Sequence, residues 1–360
     1  MALPASVIAH ERARHLVFAI SADYERRTGG WIYDTRLMQE LRGCGWTVSD
    51  MILPAGFPHP DVEARRTAVA QFDALADGTL VVADQLCLGV MPDVARRHAQ
   101  RLRLVMIVHH PLSFDAGSSE DGAALATAER YALAHVVRVI VTSRTTANDL
   151  RMRFDVPADR IVLALPGIDP QPAVTPRNQV PSLLSVGAVV PRKDHATLVT
   201  ALAGLDHLPW QLTIVGNTTR APEHVTHLQA LIDELRLAHR ITLMGECDDV
   251  ELGRIWHAAD VYVAASRHEG FGMAIAEAIA RGTPVVTTSA GAVQEWLSRD
   301  AAVIVAPGDA CALRTALGVL LAEPERRGTL RDGALAARSR LPRWQDTAAT
   351  VDAALGRLIA

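Results

Sequence analysis

The sequence predicts an α/β protein made of two doubly wound parallel-sheet domains. Short apolar, β-branched runs alternate with longer helical stretches along all 360 residues, which is the pattern of parallel sheets covered by helices. A proline-dense segment at 166–181 interrupts this alternation near the middle of the chain, and we expect the interdomain hinge there. The length also suits two domains of about 150 to 200 residues each. We therefore predict domains at 1–170 and 171–342, followed by a final amphipathic helix at 343–360.

The composition is that of an ordinary globular protein, with 49% hydrophobic and 21% charged residues. The formal net charge of -4 gives no reason to expect a nucleic-acid partner. Four cysteines are scattered without CxxC pairing, so we expect neither disulfides nor a structural zinc site, which fits a reducing cytosol. Since no run of 18 apolar residues occurs, and the first apolar run at 16–20 is too short for a signal peptide, we expect a cytoplasmic protein.

In the first half, a strand at 15–20 leads through a polar loop, closed by Gly29 and Gly30, into a helix from 31 to about 42. A strand, a glycine pair and a helix are typical of phosphate-binding turns. The GxGxxG fingerprint and the lysine of a P-loop are both lacking, so a dinucleotide or ATP site is disfavoured, and a bare glycine pair is usually only a turn. Further strands are predicted at 46–53, 79–83, 104–108 and 139–142, with helices such as 62–76 and 123–137 between them.

The strand at 104–108 is followed by His109, His110 and a proline. A histidine at the carboxyl end of a parallel strand lies in the cleft, where it can donate to a ligand hydroxyl or to developing charge; plain loop residues are an equal alternative. Ser143 is predicted to cap the next helix.

Four arginines lie between 95 and 103, and they predict a solvated helix face or, alternatively, a patch for anionic lipid headgroups: Arg96, Arg97, Arg101 and Arg103.

The second half opens with a strand at 182–186 and a turn that carries Arg192 and Lys193 before a helix from His195. Two cations at a strand-to-helix turn are placed to bind phosphates, although an exposed basic loop would look the same. Strands at 210–215 and 241–244 are followed by Gly216 and by Met244-Gly245, the second suited to pack beside a nucleobase. The remaining elements are a strand at 303–306 and helices at 310–322, 325–340 and 344–359.

The most informative stretch is a βαβ unit with strands at 261–265 and 284–288 and a helix at 272–281. Its mouth loop contains Gly270, Phe271 and Gly272, which let main-chain N–H groups turn towards an anion at a helix N-terminus. Glu269 and Glu277 flank this helix start and are separated along the axis by about 8 Å or slightly more. That distance suits a diphosphate with a sugar at either end, each carboxylate accepting from sugar hydroxyls.

The segment from Glu269 to Glu277 resembles the E-x7-E signature of retaining glycosyltransferases of the GT-B fold, family four. The resemblance implies two Rossmann-like domains facing a cleft, an N-terminal acceptor domain, a C-terminal nucleotide-sugar domain and a terminal helix that crosses back to the first. It also implies that Glu269 orients the transferred sugar and Glu277 the ribose diol. The family's cleft histidine matches His109, its phosphate-approaching glycine pair matches Gly29 and Gly30, and its leaving-group cations match Lys193 with Arg192 beside it.

Three positions depart from the family pattern. Relatives commonly carry arginine at Ala188, and Arg192 is a candidate replacement; one usual glycine of the next cleft loop is Ala292; and His110 stands where relatives often have aspartate. Ala188 and Ala292 keep a non-catalytic nucleotide-sugar-binding protein as an alternative.

The implied activity is retaining hexosyl transfer from an α-linked nucleoside diphosphate sugar to a glycan, a lipid-linked sugar or a small molecule. Neither a cofactor nor a metal ion is required, and loops such as 114–122 set the choice of acceptor. A GT-B epimerase or phosphorylase is a further alternative, but a phosphorylase needs a pyridoxal lysine and Lys193 is the one cleft lysine found. We expect a cytoplasmic location, with peripheral contact to anionic lipid on the inner face of the plasma membrane as an option.

Overall fold

A computed structural model describes residues 14–25, 28–116, 120–174 and 178–359. Within them the chain forms two six-stranded parallel sheets, one in each half. The first contains β1 (His15–Ser21), β2 (Thr47–Leu53), β3 (Leu80–Asp84), β4 (Arg103–Val108), β5 (Arg138–Val141) and β6 (Ile161–Leu163). The second contains β7 (Ser182–Val186), β8 (Gln211–Val215), β9 (Ile241–Gly245), β10 (Val261–Ala264), β11 (Val285–Thr288) and β12 (Ala302–Val305).

Helices connect the strands and cover both sheets. In the first half they are α1 (Gly29–Gly43), α2 (Val62–Asp73), α3 (Gln85–Leu88), α4 (Pro92–His98), α5 (Ser113–Ala116), α6 (Glu120–Ala134) and α7 (Arg144–Arg153). In the second they are α8 (His195–Ala203), α9 (Pro222–Glu234), α10 (Asp249–Ala258), α11 (Met273–Arg281), α12 (Val293–Trp296), α13 (Ala310–Ala322), α14 (Pro324–Ala337) and α15 (Trp344–Ile359). Short 3-10 turns occur at Ala22–Glu25, Ala158–Arg160, Pro191–Lys193 and Arg338–Arg340.

The strand order of each sheet fixes where a ligand crevice can form. The first sheet runs β2-β1-β3-β4-β5-β6 and the second β12-β11-β10-β7-β8-β9. In the first sheet the connections leave β1 and β3 in opposite directions, and in the second they do so at β7 and β10. Such switch points open a crevice beyond the carboxyl ends of the strands. The loops after these four strands are therefore the ones that frame a site.

Burial explains why the short apolar runs form central strands. Every residue of β3 and of β10 is buried, as expected for strands covered by helices on both faces. The predicted α/β class with two doubly wound sheets is thus what the structure shows.

The last helix lies on the first domain. Trp344, Val351 and Leu355 of α15 are buried in one cluster with residues of β1 and α1. Gly167 passes so close that a Cβ there would lie 2.2 Å from the main-chain nitrogen of Trp344. The chain therefore leaves the second domain and closes back over the start of the first.

Several predicted boundaries were wrong by a few residues. The glycine pair at 29–30 belongs to α1 rather than to the preceding loop, because Thr28 caps the helix and its hydroxyl accepts the N–H of Trp31. α2 and α6 each end three residues early, and β6 was not predicted because it has only three residues. Residues 1–13 of the first domain, 175–177 of the hinge and 117–119 of the acceptor loop lie outside the described residues. In the described part of the chain, no helix has the length and apolar character needed to cross a bilayer.

Candidate active site

The centre of the site is an ion pair between Lys193 and Glu269. Lys193 follows β7 and Glu269 follows β10, so the switch point of the second sheet brings them together. The Lys193 Nζ lies 2.7 Å from Glu269 Oε1, and Ser266 Oγ donates to the same oxygen at 2.6 Å. Two predicted site residues separated by 76 positions in sequence are therefore in direct contact.

Glu269 is ionised in this environment. Only 6% of the residue is exposed, and burial alone would raise the pKa of its carboxyl. Lys193 and Arg192, together with the hydrogen bonds from Lys193 and Ser266, instead lower this pKa to about 2. Glu269 is consequently an acceptor of hydrogen bonds and has no proton to give to a leaving group.

Arg192 lies beside this pair and reaches across to the first domain. Its Nη1 is 3.7 Å from Glu269 Oε2, and its Nε donates to Asp115 Oδ1 at 2.6 Å. Asp115 also lies 3.2 Å from His110 Nε2. Burial would raise the pKa of Asp115, but His110 and Arg192 hold it well below its usual range. Asp115, an acid of the first domain, is thus paired with Arg192, one of the two cations predicted to bind phosphate.

Glycines of the mouth loop and of the following 289–292 loop allow very close main-chain contacts. A Cβ on Gly270 would lie 2.3 Å from the carbonyl oxygen of His109 in the other domain. A Cβ on Gly291, which has a φ of 57°, would lie 2.2 Å from the carbonyl oxygen of Glu269. The first contact brings the domains together, and the second packs the 289–292 loop against Glu269. Ala292, which replaces a usual glycine of the family, is fully buried and donates its N–H to the Glu269 carbonyl. The loop therefore keeps its contact with Glu269 although this residue carries a methyl group.

The N-terminus of α11 points into the mouth loop without a side-chain cap. Its N-cap residue, Gly272, has φ 90° and ψ 52°, a left-handed conformation that favours glycine. Uncapped N–H groups and the helix macrodipole favour an anion there. Anion binding at Gly270 and Gly272 stays a prediction.

Phe271 was predicted as a donor-binding residue, and the structure places its ring elsewhere. The ring is 4% exposed and stacks on Trp296 at 5.2 Å between centroids, in a small core with Ile168. Trp296 Nε1 also donates to the Phe271 carbonyl at 3.0 Å. The side chain anchors the loop from behind, so only the main chain of this residue faces the cradle.

The other predicted donor-binding residues lie along the same sheet edge. Glu277 is half-buried in α11, where burial raises the pKa of its carboxyl while Arg281, 3.7 Å away, opposes the rise. Gly216 follows β8 with φ 149°, and a Cβ there would lie 2.2 Å from the carbonyl oxygen of Gly187 after β7. Met244 lies in β9, next to β8, and is 38% exposed. Their proposed contacts with nucleotide stay predictions.

His109 forms the facing wall. Its ring packs on α1, so that a Cβ on Gly30 would lie 3.0 Å from His109 Cδ2, while a Cβ on Gly29 would meet Met273 Sδ at 3.6 Å. Gln85 fixes the main chain of this loop, accepting the His109 N–H at 2.8 Å and donating to the His110 carbonyl at 2.5 Å. The glycine pair, His109 and the start of α11 are therefore neighbours across the cleft.

Two buried acids stand behind the His109 ring. Its Nε2 lies 3.4 Å from Asp34 Oδ1 and 3.3 Å from Asp84 Oδ2, and both aspartates are fully buried. In the described part of the chain, this is the one group of side chains whose donor atoms, all within 4.8 Å of one another, could hold a metal ion. Both distances are within the range of an ion pair between a protonated imidazole and a carboxylate.

Glu295 joins the two domains at the edge of the cleft. Its carboxylate accepts the main-chain N–H groups of Arg144, at 3.0 Å, and Thr145. These are the first residues of α7, whose predicted N-cap, Ser143, accepts the N–H of Thr146 at 3.0 Å. A carboxylate at a helix N-terminus is favoured by the macrodipole, so this contact favours the closed arrangement.

Sequence reasoning missed six residues of this site: Asp34, Asp84, Gln85, Asp115, Ser266 and Glu295. The rule that selected His109, a polar residue directly after a buried parallel strand, would also have selected Asp84 and Gln85. Asp34 lies inside α1 and Asp115 in the short helix α5, and neither position carries a local pattern.

The arginines near α4 make mainly intramolecular contacts. Arg101 donates to the carbonyls of Leu75 and Phe72, and Arg103 donates to the carbonyl of Gly78. Arg97 lies 3.3 Å from Asp73. These contacts give the cluster a structural role, and lipid binding by it stays a prediction.

Two Rossmann-like domains whose switch points face each other across a charged cleft define the GT-B class of proteins. The family described as Glycosyl transferases group 1 matches residues 170–335, and the family described as Glycosyltransferase Family 4 matches residues 59–172. The chain therefore belongs to the family-four glycosyltransferases of the GT-B fold, which confirms the family predicted from the E-x7-E segment.

Relatives and solved structures agree with that family. The chain is 31% identical to D-inositol 3-phosphate glycosyltransferase from Xylanimonas cellulosilytica, over 59% of this chain and 55% of the relative. It is 28% identical to MMP alpha-(1->4)-mannosyltransferase from Mycolicibacterium hassiacum, over 85% of this chain and 77% of the relative. The match thus spans about half the length of the first and three quarters of the second.

The fold matches sucrose-phosphate synthase from Thermosynechococcus elongatus, with TM-score 0.81 and 21% identity over 96% of this chain and 99% of that one. It also matches Anabaena HepE, solved in complex with UDP and glucose, with TM-score 0.77 and 18% identity over 96% of this chain and 100% of that one. At these identities the likeness shows the fold, and it confirms the predicted GT-B architecture.

Proposed function

We propose that this protein transfers a hexosyl group from an α-linked nucleoside diphosphate sugar to an acceptor and retains the anomeric configuration. The observation that carries the proposal is the Lys193–Glu269 pair at the switch point of the second sheet, directly beside the uncapped N-terminus of α11. A cation and a helix N-terminus favour a diphosphate, while an ionised carboxylate accepts from sugar hydroxyls. The solved relative HepE binds UDP and glucose, which supports a nucleotide-sugar donor.

The chemistry follows from where charge develops. As the glycosidic bond breaks, negative charge accumulates on the leaving diphosphate, and Lys193, Arg192 and the start of α11 are placed to stabilise it. Arg192 lies within 3.7 Å of Glu269, so we propose that it takes over the function of the arginine that relatives carry at Ala188. Because these groups supply positive charge, we expect transfer to proceed without a divalent metal. The acceptor would attack on the face that the diphosphate leaves.

The test uses a panel of UDP-, GDP- and ADP-sugars with candidate glycan, lipid-linked and small-molecule acceptors. Diphosphate release, with and without EDTA, reports turnover, and the anomeric coupling constant of the product sugar reports stereochemistry. An α-linked product supports the proposal, and a β-linked product contradicts retention.

Lys193→Ala tests the role of the Lys193 charge, and Arg326→Ala, which removes an exposed charge on α14, is the control. Lys193→Ala should lose most of the release, since removing one preorganised charge contact costs about 100-fold or more. Tight nucleotide-sugar binding without release for any acceptor would instead indicate the non-catalytic binding protein. Conversion of the donor sugar to its epimer would indicate the epimerase.

A further inference from the structure

Two buried acids of the first domain, Asp34 and Asp84, lie behind His109 and belong to neither the E-x7-E segment nor the second domain. Asp34 and Asp84 come from different elements, α1 and the last residue of β3, and His109 follows β4. The ring nitrogen Nε2 lies 3.4 Å from one carboxylate and 3.3 Å from the other. Two ionisable acids without access to water would be costly unless a positive charge balances them.

The surroundings hold the ring in this position. Gln85 accepts the His109 N–H, and Thr142 Oγ1 donates to the His109 carbonyl at 3.1 Å. Asp84 is itself fixed, because its Oδ1 accepts the N–H of Leu86 at the start of α3. Tyr33 packs edge-on against the ring at 5.4 Å between centroids. The imidazole therefore has little freedom to turn away from the acids.

We propose that Asp34 and Asp84 are positioning residues that keep His109 in its doubly protonated form at the cleft wall. The proposal rests on the function proposed above and adds a fixed positive charge from the first domain, opposite Lys193. With both ring nitrogens protonated, Nε2–H is shared between the acids and Nδ1–H is a second donor for the donor sugar or its diphosphate. A neutral ring whose Nε2–H faced the acids would present Nδ1 as an acceptor, which a phosphate oxygen cannot use.

From α1 the titratable neighbours of the ring are Tyr33, whose pKa burial raises, and Asp34; from β3 the neighbour is Asp84. On its own loop, burial lowers the pKa of His110. Burial likewise would lower the pKa of His109, but Asp34 and Asp84 raise it to about 10.

The His109 ring lies beside the helix N-termini that we propose bind the donor diphosphate, so a positive charge on the ring would act on that anion. His109 lies between Gly30 at the start of α1 and Gly270 before α11: a Cβ on Gly30 would lie 3.0 Å from the His109 ring, and a Cβ on Gly270 would lie 2.3 Å from the His109 carbonyl oxygen. A ligand anion bound at the N-termini of α1 and α11 would therefore lie beside the imidazolium. The two acids determine whether this wall attracts or repels that anion.

The decisive experiment is an NMR titration of the full chain labelled with [13Cε1]-histidine. His109→Gln identifies the signal by deleting it. In the wild type the His109 signal should stay that of an imidazolium up to about pH 9. In Asp34→Asn and Asp84→Asn the titration midpoint should fall by about one pH unit or more, and in the double variant it should fall below 7.

The exposed Asp332→Asn on α14 is the control and should leave the titration unchanged. If either Asp34→Asn or Asp84→Asn fails to fold, the wild-type titration still decides the question, because a His109 that is neutral at pH 7.5 overturns the proposal. A His109 signal that broadens with stoichiometric Mn²⁺ and recovers with EDTA also overturns it, in favour of a metal site.

Activity provides a second readout that a purely structural role would not move. On a donor that the panel identifies, Asp84→Asn should lower kcat about tenfold or more near neutral pH and shift the alkaline limb of the rate profile to lower pH. If no donor is turned over, the proposed function fails while the NMR titration still tests the charge of His109. An unshifted rate profile in a folded, active Asp84→Asn variant overturns the positioning role.

Discussion

The contact between Gly270 and the His109 carbonyl predicts how a single methyl group would affect domain closure. In Gly270→Ala the new Cβ would lie 2.3 Å from that oxygen, about 1 Å short of the 3.4 Å of an ordinary contact. The new Cβ is fixed to the main chain and the oxygen belongs to the main chain, so neither atom can rotate away. The domains must therefore separate by roughly that distance. Because a misplacement of about 1 Å can cost about 100-fold in rate, kcat/KM should fall about 100-fold, which corresponds to about 2.7 kcal/mol of transition-state stabilisation.

Two measurements separate closure from damage to the loop. Small-angle X-ray scattering should show a larger radius of gyration, and calorimetry should show nearly unchanged nucleoside diphosphate affinity, because the proposed phosphate contacts lie mostly in the second domain. Gly253→Ala in α10 is the matched control, since a Cβ there meets nothing within 4 Å. If Gly270→Ala has wild-type kcat/KM and radius of gyration, the inference that these domains close through this contact is refuted.

Three further changes test other charges of the site. Glu295→Ala removes the carboxylate from the N-terminus of α7, and a contribution of about 1 kcal/mol predicts about fivefold less closed form, seen as a larger radius of gyration without ligand. Asp115→Asn removes a competitor for Arg192 and should tighten nucleoside diphosphate binding up to about fivefold by calorimetry, whereas weaker binding would mean that Asp115 orients the arginine. Burial raises the pKa of Glu129 to about 8 from its usual 4.5, so its contribution lowers the unfolding free energy as pH rises between those values. Glu129→Gln keeps an acceptor for the Leu112 N–H and should be more stable than the wild type at pH 8 in chemical denaturation, by about 1.4 kcal/mol for each unit of the shift.

The fold could be predicted because it depends on local patterns. Strands such as β3 and β10 are short apolar runs, and their burial on both faces is what such runs require. The end of α11 followed from Gly282, which has φ 72° and closes the helix. β6 carried too few residues to give a pattern of its own.

The site could be predicted only where a residue adjoins a strand end. Glu269, Lys193 and His109 each follow a strand, so the parallel topology places all three at the cleft. Asp34 reaches the site because α1 packs in a particular orientation, which is a tertiary fact without a periodic signal. The position of the Phe271 ring could not be predicted for a similar reason, because its stacking partner Trp296 lies in a different segment of the chain.

The cations of the cleft are paired with the protein's own acids, and these acids differ in burial and in the domain that supplies them. Glu269 is buried and held by Ser266 within the same domain, so it stays with Lys193. The side chain of Asp115 is 37% exposed and comes from the opposite domain, so a phosphate can displace it from Arg192 at lower cost.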